Sequence, residues 1–368
     1  MKVCNFLRIC KFKFLTFNSM SKTYKIAVVP GDGIGNEIVP QGYRVLEAVA
    51  EKYNFNITSE TFDWGAKYYL KEGKFLPDNG LETLKNFDAI YFGSVGLPEV
   101  DDTLPAKDYT FKVRTNFNQY VNYRPVRTYP GVARPLRSEK HIDFVIVREN
   151  VEGEFVQMGG QYLPESAEGM GIDTSVFTRK GIERVAHYAF KLARKRRNKV
   201  THITKSNTLI NSLSYWDRVI KEVAAAYPDV EHNQMYIDNC TASFVLKPEQ
   251  FDVVLTTNLF GDILSDLGGA IMGSLGLGGS GNINPEKEFP SMFEPIHGSA
   301  PDIAGRNSAN PYGQIWSAAI MLEHLGEEAA AKNIMEAVDK STKEGVLTVD
   351  LGGNAGTKDV ADAVIRNL

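Results

Sequence analysis

An α/β protein with substantial parallel sheet is the fold class this sequence predicts, and three observations predict it. Short apolar runs of strand length recur at residues 25–30, 88–93, 143–148, 200–205 and 251–257. Between them lie segments with helical periodicity, such as 36–53 and 178–197; the latter sets Ile182, Val185, Ala189 and Leu192 on one stripe with basic residues opposite. Strands alternating with helices of that length assemble as a sheet covered by helices. The third observation is length: 368 residues suffice for two lobes, or one large α/β unit, with a core that needs no disulfide support.

Residues 1–24 differ in character from the rest of the chain. Lys2, Arg8, Lys11, Lys13 and Lys22 alternate with Phe6, Phe12, Phe14 and Phe17, and no acidic residue occurs. Two readings stand for residues 1–19: a transit peptide, or an upstream start with Met20 the true initiator. The expected compartment is the cytoplasm, or the mitochondrion if the segment is a transit peptide. A net charge of −4 gives no general attraction for nucleic acid or anionic membrane. Cys4, Cys10 and Cys240 lack paired metal-type spacing, which suits a reducing compartment and excludes a disulfide scaffold or zinc knuckle. No apolar run approaches the roughly 20 residues of a membrane helix.

Along the chain, Gly31-Asp32-Gly33-Ile34-Gly35 follows the first strand and opens a helix. A dinucleotide fingerprint would need glycine where Asn36 stands, so the segment reads as a tight strand-to-helix turn and not as a Rossmann fold. Arg114, Arg124 and Arg148 each read singly as salt-bridge partners at the surface; together with a metal site they read as a clamp for a dicarboxylate, since forked guanidinium groups match carboxylates two bonds at a time. The basic run from Arg194 to Lys199 reads as a solvated helix end. Lys205 closes a strand, where desolvation beside a cation would suit it to general-base work; a lone lysine is otherwise a surface residue.

Asn258-Leu259-Phe260-Gly261-Asp262-Ile263-Leu264-Ser265-Asp266 places two acids one helical turn apart inside an apolar run. That spacing puts both carboxylates on one face, which suits a hard divalent ion; the alternative makes Asp262 a helix cap and Asp266 a solvated residue. Glycine and proline concentrate between Gly268 and Pro311, a region long enough to be ligand-binding loops. Within it, Glu294 to Gly305 has small residues that let backbone approach a nucleotide. Asp302 would accept a hydrogen bond from a ribose 2′-hydroxyl and repel a 2′-phosphate, which favours NAD. His297 is either a cofactor contact or a structural histidine.

Gly31 to Gly35, Asn258 to Asp266 and His297 to Asp302, in this order and spacing, resemble the β-decarboxylating dehydrogenases of 2-hydroxy acids, the isocitrate/isopropylmalate dehydrogenase family, over residues 25–368. Phe117 to Arg127 and Asp88 to Gly93 resemble its tartrate and D-malate dehydrogenase branch. The resemblance implies an isopropylmalate dehydrogenase-like two-domain fold with a mixed, largely parallel sheet. Residues 20–119 and 273–368 would form a discontinuous cofactor-binding domain; residues 120–272 would form a central domain for substrate, metal and dimerisation. It implies that Arg114, Arg124 and Arg148 hold substrate carboxylates. Asp238, Asp262 and Asp266 would hold Mg²⁺ or Mn²⁺, and His297, Gly298, Ser299, Ala300, Asp302, Ile303 and Asn310 would line the NAD site. K⁺ is a candidate assisting ion. It further implies a homodimer in which Lys205 and Asp238 cross the interface, Lys205 taking the proton of the C2 hydroxyl while hydride passes to NAD and the β-keto acid loses CO₂.

Two departures bear on chemistry. Phe155 stands where the family has a tyrosine, so the hydroxyl that would return a proton to the decarboxylated product is missing; water or Tyr162 is a candidate substitute. Thr110, ahead of Arg114, stands where isopropylmalate enzymes carry leucine and favours hydrogen or hydroxyl at C3 over a branched alkyl group. The function expected is therefore NAD- and metal-dependent oxidation of D-malate or tartrate. The rivals are isocitrate or isopropylmalate oxidation, and a non-catalytic regulatory subunit of the same fold.

Overall fold

The computed structural model describes residues 22–137 and 140–368; the leader reading for residues 1–19 lies outside them. Twelve strands occur among the described residues: β1 (Thr23–Gly31), β2 (Asn56–Thr61), β3 (Ala89–Ser94), β4 (Val121–Arg127), β5 (Asp143–Glu149), β6 (Gly159–Tyr162), β7 (Met170–Asp173), β8 (Lys199–Thr204), β9 (Glu231–Tyr236), β10 (Val253–Thr256), β11 (Gly279–Ile283) and β12 (Ser291–Pro295). Each apolar run singled out in the sequence is one of them, shifted by a residue or two at the ends.

Ten strands form one sheet in the order β2-β1-β3-β12-β11-β4-β5-β10-β8-β9. Pairing is parallel at both flanks and antiparallel only across β12-β11-β4-β5 in the middle. The first five strands of that order come from the two ends of the chain and the last five from its centre, and they meet where β11 pairs β4. Inside the parallel flanks β3 and β10 read as apolar runs and are wholly buried, as in a sheet covered on both faces, whereas the edge strands β2 and β9 are polar and largely exposed.

The helices that cover the sheet follow from their stripes. Arg179–Arg194 buries Ile182, Val185, Ala186, Ala189, Phe190 and Ala193, while Thr178 caps it by accepting from Gly181 N at 3.0 Å. Such a cap is worth about 1 kcal/mol, and each fully buried large apolar side chain about 1.5–3 kcal/mol. The basic run from Arg194 to Lys199 is exposed at Arg194, Lys195 and Arg197, as expected of a solvated helix end, but it also carries ion pairs. Arg196 lies 2.8 Å from both Asp143 and Asp252 and ties the helix end to β5 and the segment before β10, while Arg194 meets Asp229, just ahead of β9, at 2.5 Å. No helix among the described residues is long and apolar enough to cross a membrane.

Candidate active site

The glycine turn after β1 is the first piece of the site. Gly31 and Gly33 have φ of +73° and +54°, and a Cβ on Gly33 would stand 2.0 Å from the carbonyl oxygen of Ser299. That closeness lets Ile34 N donate to Ser299 O at 2.8 Å, fastening the turn to the loop expected to hold the nucleotide. Asp32, fully buried, accepts from Ala66 N at 2.6 Å and Gly96 N at 3.1 Å and so serves the fold. Glu37 accepts from the backbone N–H groups of Gly305 and Asn307, pinning the far end of the same loop. Sequence reasoning missed both acids, although Asp32 between two glycines is visible there.

The three arginines converge in the interior. Arg124 lies on β4 and Arg148 at the end of β5, and their side chains are 7% and 2% exposed. Arg114 sits in the helix Lys112–Asn116 and reaches Glu294 on β12 at 2.9 Å. The helix before it carries a π-turn, Ala106–Phe111, which includes Thr110; such turns recur at functional sites.

Asp262 and Asp266 lie within the helix Asn258–Met272, one turn apart, so Asp262 is not its cap. Gly261 makes room for the clamp: a Cβ there would fall 2.6 Å from Arg148 Cβ. Arg148 donates to Asn258 Oδ1 at 2.8 Å and to Asp262, while Arg124 lies 3.5 Å from Asp262 and donates to Ser265 Oγ at 2.5 Å. Burial pulls the Arg148 guanidinium down to about 9 against the opposing pull of Asp262. Burial alone would raise the Asp262 carboxyl, but Arg148 and Arg124 outweigh it and hold it below the ordinary range. Asp266 goes the other way, raised chiefly by burial.

The Nε groups of Arg114 and Arg124 are buried without a hydrogen-bond partner. An unmet buried donor costs about 1–3 kcal/mol, which an anionic ligand would relieve. For a metal, one chain offers two oxygen donors, Asp262 and Asp266. Among the described residues no three acids, histidines or cysteines group as ligands, so Asp238 does not join them within the chain. Mg²⁺ commonly takes one or two carboxylates plus ligand and water, so the pair fits.

Lys205 is the first residue beyond β8, and its Nζ lies 2.7 Å from Asp238, whose side chain is 66% exposed. Phe155 lies beside the clamp: its ring centroid is 5.3 Å from the Arg148 guanidinium and 5.4 Å from Phe111. Tyr162, the candidate substitute hydroxyl, projects from β6 and is 61% exposed.

In the loop after β12, His297 Nδ1 contacts Gly298 O at 3.0 Å, and its Nε2 is buried without a partner. A Cβ on Gly298 would meet nothing within 4 Å, so there is open space along the backbone there. Asp302 is exposed, while Ser299, Ala300 and Ile303 are partly buried. Those features fit a nucleotide. Asn310 is committed elsewhere, its amide donating to Asp350 at 2.9 Å and accepting from Tyr312 N at 3.0 Å.

Residues 25–364 match the family model described as isocitrate/isopropylmalate dehydrogenase. The chain belongs to that family. A probable tartrate dehydrogenase/decarboxylase of Agrobacterium vitis is 48% identical over 351 residues, covering 94% of this chain and 98% of the relative. The D-malate dehydrogenase (decarboxylating) of Escherichia coli K12 is 47% identical, covering 94% and 99%. The crystal structure of isocitrate dehydrogenase from Methylococcus capsulatus superposes with a TM-score of 0.85 at 35% identity, covering 94% of this chain and 99% of that one. The mixed, largely parallel sheet is thus the fold of this dehydrogenase family, and the chain is a dehydrogenase.

Proposed function

We propose that this isocitrate/isopropylmalate dehydrogenase family member oxidises D-malate or tartrate with NAD and Mg²⁺ or Mn²⁺, malate then losing CO₂. The observation that carries the reading is the burial of three guanidinium groups, two with unmet N–H donors, against the helix that presents Asp262 and Asp266. That charge pattern suits a dianion smaller than a nucleotide. The names of the 47–48% identical relatives support the choice of D-malate and tartrate over isocitrate or isopropylmalate.

In this reading Arg114, Arg124 and Arg148 hold the substrate carboxylates and fix the hydroxyl-bearing carbon. Asp262 and Asp266, with Asp238, would hold the metal, which would supply Lewis acidity at the substrate oxygens, with NAD as the oxidant. Lys205 takes the hydroxyl proton. His297 to Ile303 line the nucleotide, and Asp302 discriminates against a 2′-phosphate. The five strands from the chain ends and the five from its centre would form the two domains, residues 20–119 with 273–368 and residues 120–272.

Because Lys205 and Asp238 pair with each other and not with Asp262, the complete site needs a second copy. Exposed apolar side chains support such a dimer: Tyr162, Met170 and Ile172 on the β6-β7 hairpin, Val245 and Leu246 beyond Asp238, and Ile263 beside Asp262.

An NAD reduction screen across D-malate, the tartrates, isocitrate and 3-isopropylmalate, with Mn²⁺ and after chelation, tests the reading. Turnover of D-malate or tartrate, lost on chelation, is the expected result. Preference for isocitrate, or unchanged rates without metal, overturns it; no NADH from the pure dimer with any substrate favours the regulatory subunit. Phe155 has no hydroxyl, so protonation of the decarboxylated product is slow, and Phe155→Tyr should speed pyruvate formation from D-malate. Equal rates in both proteins, with no intermediate accumulating, would remove that claim.

A further inference from the structure

Across the seam where β11 pairs β4, one face of the sheet carries a row of polar side chains that the reaction as described does not use. The strand register sets Asn282 of β11 opposite Asn122 of β4, and Asn122 opposite Arg148 of β5. Residues directly opposite project from the same face, and Arg124, two places along β4 from Asn122, shares it. Asn282, Asn122 and Asn150 are all buried, and so is Glu294 on β12.

Asn282 is bonded at every position its amide offers. Its Nδ2 donates to Glu294 Oε1 at 2.7 Å and to the Met292 carbonyl at 3.4 Å, while its Oδ1 accepts from Asn122 Nδ2 at 3.0 Å and Asn150 Nδ2 at 2.9 Å. A carboxylate and a carbonyl only accept, so Glu294 and Met292 fix which end of the Asn282 amide is nitrogen. The other end is then oxygen, and Asn122 and Asn150 have to turn their nitrogens to it. The second hydrogen of Asn150 goes to Gln119 O at 2.9 Å. Glu294 Oε1, which accepts from Asn282, also accepts from Arg114 Nη2 at 2.9 Å. The three guanidinium groups of the clamp are thereby referred to one amide. Arg114, in the helix Lys112–Asn116, reaches Asn282 through Glu294; Arg124 shares β4 with Asn122, and Arg148 precedes Asn150 by two residues. Asn122 Oδ1, Asn150 Oδ1 and Gln119 Oε1 are buried without a partner, so the cluster is a poor stabiliser beside apolar packing. What it supplies is direction.

We propose that Asn282 is a positioning residue for substrate binding: it fixes Glu294 and so holds the Arg114 guanidinium in register with Arg124 and Arg148 across the seam. This rests on the reading of Arg114 as a contact for a substrate carboxylate. Without the amide, Glu294 and Arg114 still pair, but the pair is free to shift as a unit relative to β4 and β5. Only an asparagine or glutamine side chain offers two donors and two acceptors at once, which is what this junction uses.

The test is a cycle of four full-length proteins, the parent, Asn282→Leu, Arg114→Met and the double variant, assayed with NAD, Mn²⁺ and D-malate or tartrate, whichever the parent turns over. Leucine keeps the forked shape of asparagine without donor, acceptor or charge. In the parent, Asn282→Leu should raise the substrate KM about tenfold, the loss of one charge-assisted contact, with kcat and the KM for NAD within about twofold. In the Arg114→Met background the same change should raise it no more than about twofold, because no guanidinium remains to be held. Equal rises in both, or no rise in the first, overturn the proposal. An Arg114→Met protein with the parental KM overturns instead the assignment of Arg114 to the substrate. Crystals of Asn282→Leu supply a readout independent of turnover: the Arg114–Glu294 pair should shift relative to Arg124 and Arg148, and an unmoved pair overturns the proposal. Should Asn282→Leu fail to fold, Asn122→Leu removes one of the two bonds that anchor Asn282 to the neighbouring strands and should raise the substrate KM several-fold at constant kcat; an unchanged KM overturns the proposal.

Discussion

The arginine clamp and the Lys205–Asp238 pair are built on opposite principles. The clamp is interior, its three guanidinium groups under one-tenth exposed and held by Asp262, Asn258, Ser265 and Glu294. The lysine pair is peripheral, with Asp238 two-thirds exposed and bonded to Lys205. One half of the proposed chemistry is therefore fixed by the fold of a single chain, whereas the other half waits at a surface for something to cover it. Ligand recognition should depend on folding, and turnover on assembly.

The sharpest way to break this contrast is Lys205→Met. We expect kcat to fall by about 10²–10⁴ while melting temperature stays near that of the parent, since little buried structure is disturbed. A comparable loss of stability would place Lys205 in the fold rather than the chemistry. Arg148→Met should do the reverse, costing about 3–5 kcal/mol in denaturant unfolding and raising KM steeply, because Asp262 and Asn258 lose their buried partner. Mixing Lys205→Met with Asp262→Asn dimers, after dissociation and re-pairing, should restore about a quarter of parental activity: half the dimers are mixed and each has one complete site. No recovery would mean that both residues act within one chain.

A smaller effect separates burial from assembly by pH. Glu149, fully buried beside Arg148, accepts from Val151 N and Glu152 N, and burial pushes its carboxyl up to about 7 from an ordinary value near 4.5. The folded state then binds the proton more tightly than the unfolded chain does. Its contribution is full below about pH 4.5 and is lost as pH rises through about 7, a decline of roughly 3 kcal/mol. Glu149→Gln keeps an acceptor for the backbone and should remove that decline from the unfolding free energy; an unchanged pH slope counts against it.

Asp262 and Asp266 were legible in the sequence because a helical period makes acids four apart stand out in an apolar run, and the glycine turn was legible because its neighbours were strand and helix. Burial of the arginines was not legible, since a guanidinium facing water and one facing Asp262 look alike in a string of letters. The same blindness applies to Arg196, which reads as one more solvated cation in its run although it grips Asp143 and Asp252, acids distant in sequence. The bonds by which the Asn310 amide spans Asp350 and Tyr312 were equally illegible. Glu37 acts through backbone N–H groups of a distant loop, contacts with no one-dimensional pattern. The sheet order itself, with β11 and β12 inserted between β3 and β4, requires a long-range pairing that local periodicity does not encode.

The turn between β1 and its helix reaches into genetics. A Cβ at Gly31, Gly33 or Gly35 would stand 2.0–2.1 Å from a carbonyl oxygen of Ser94, Ser299 or Pro30. Every change to the first or second base of a glycine codon introduces a side chain or a stop. At these three codons only the third base is free to drift, and a saturation library should return synonymous changes there and nothing else.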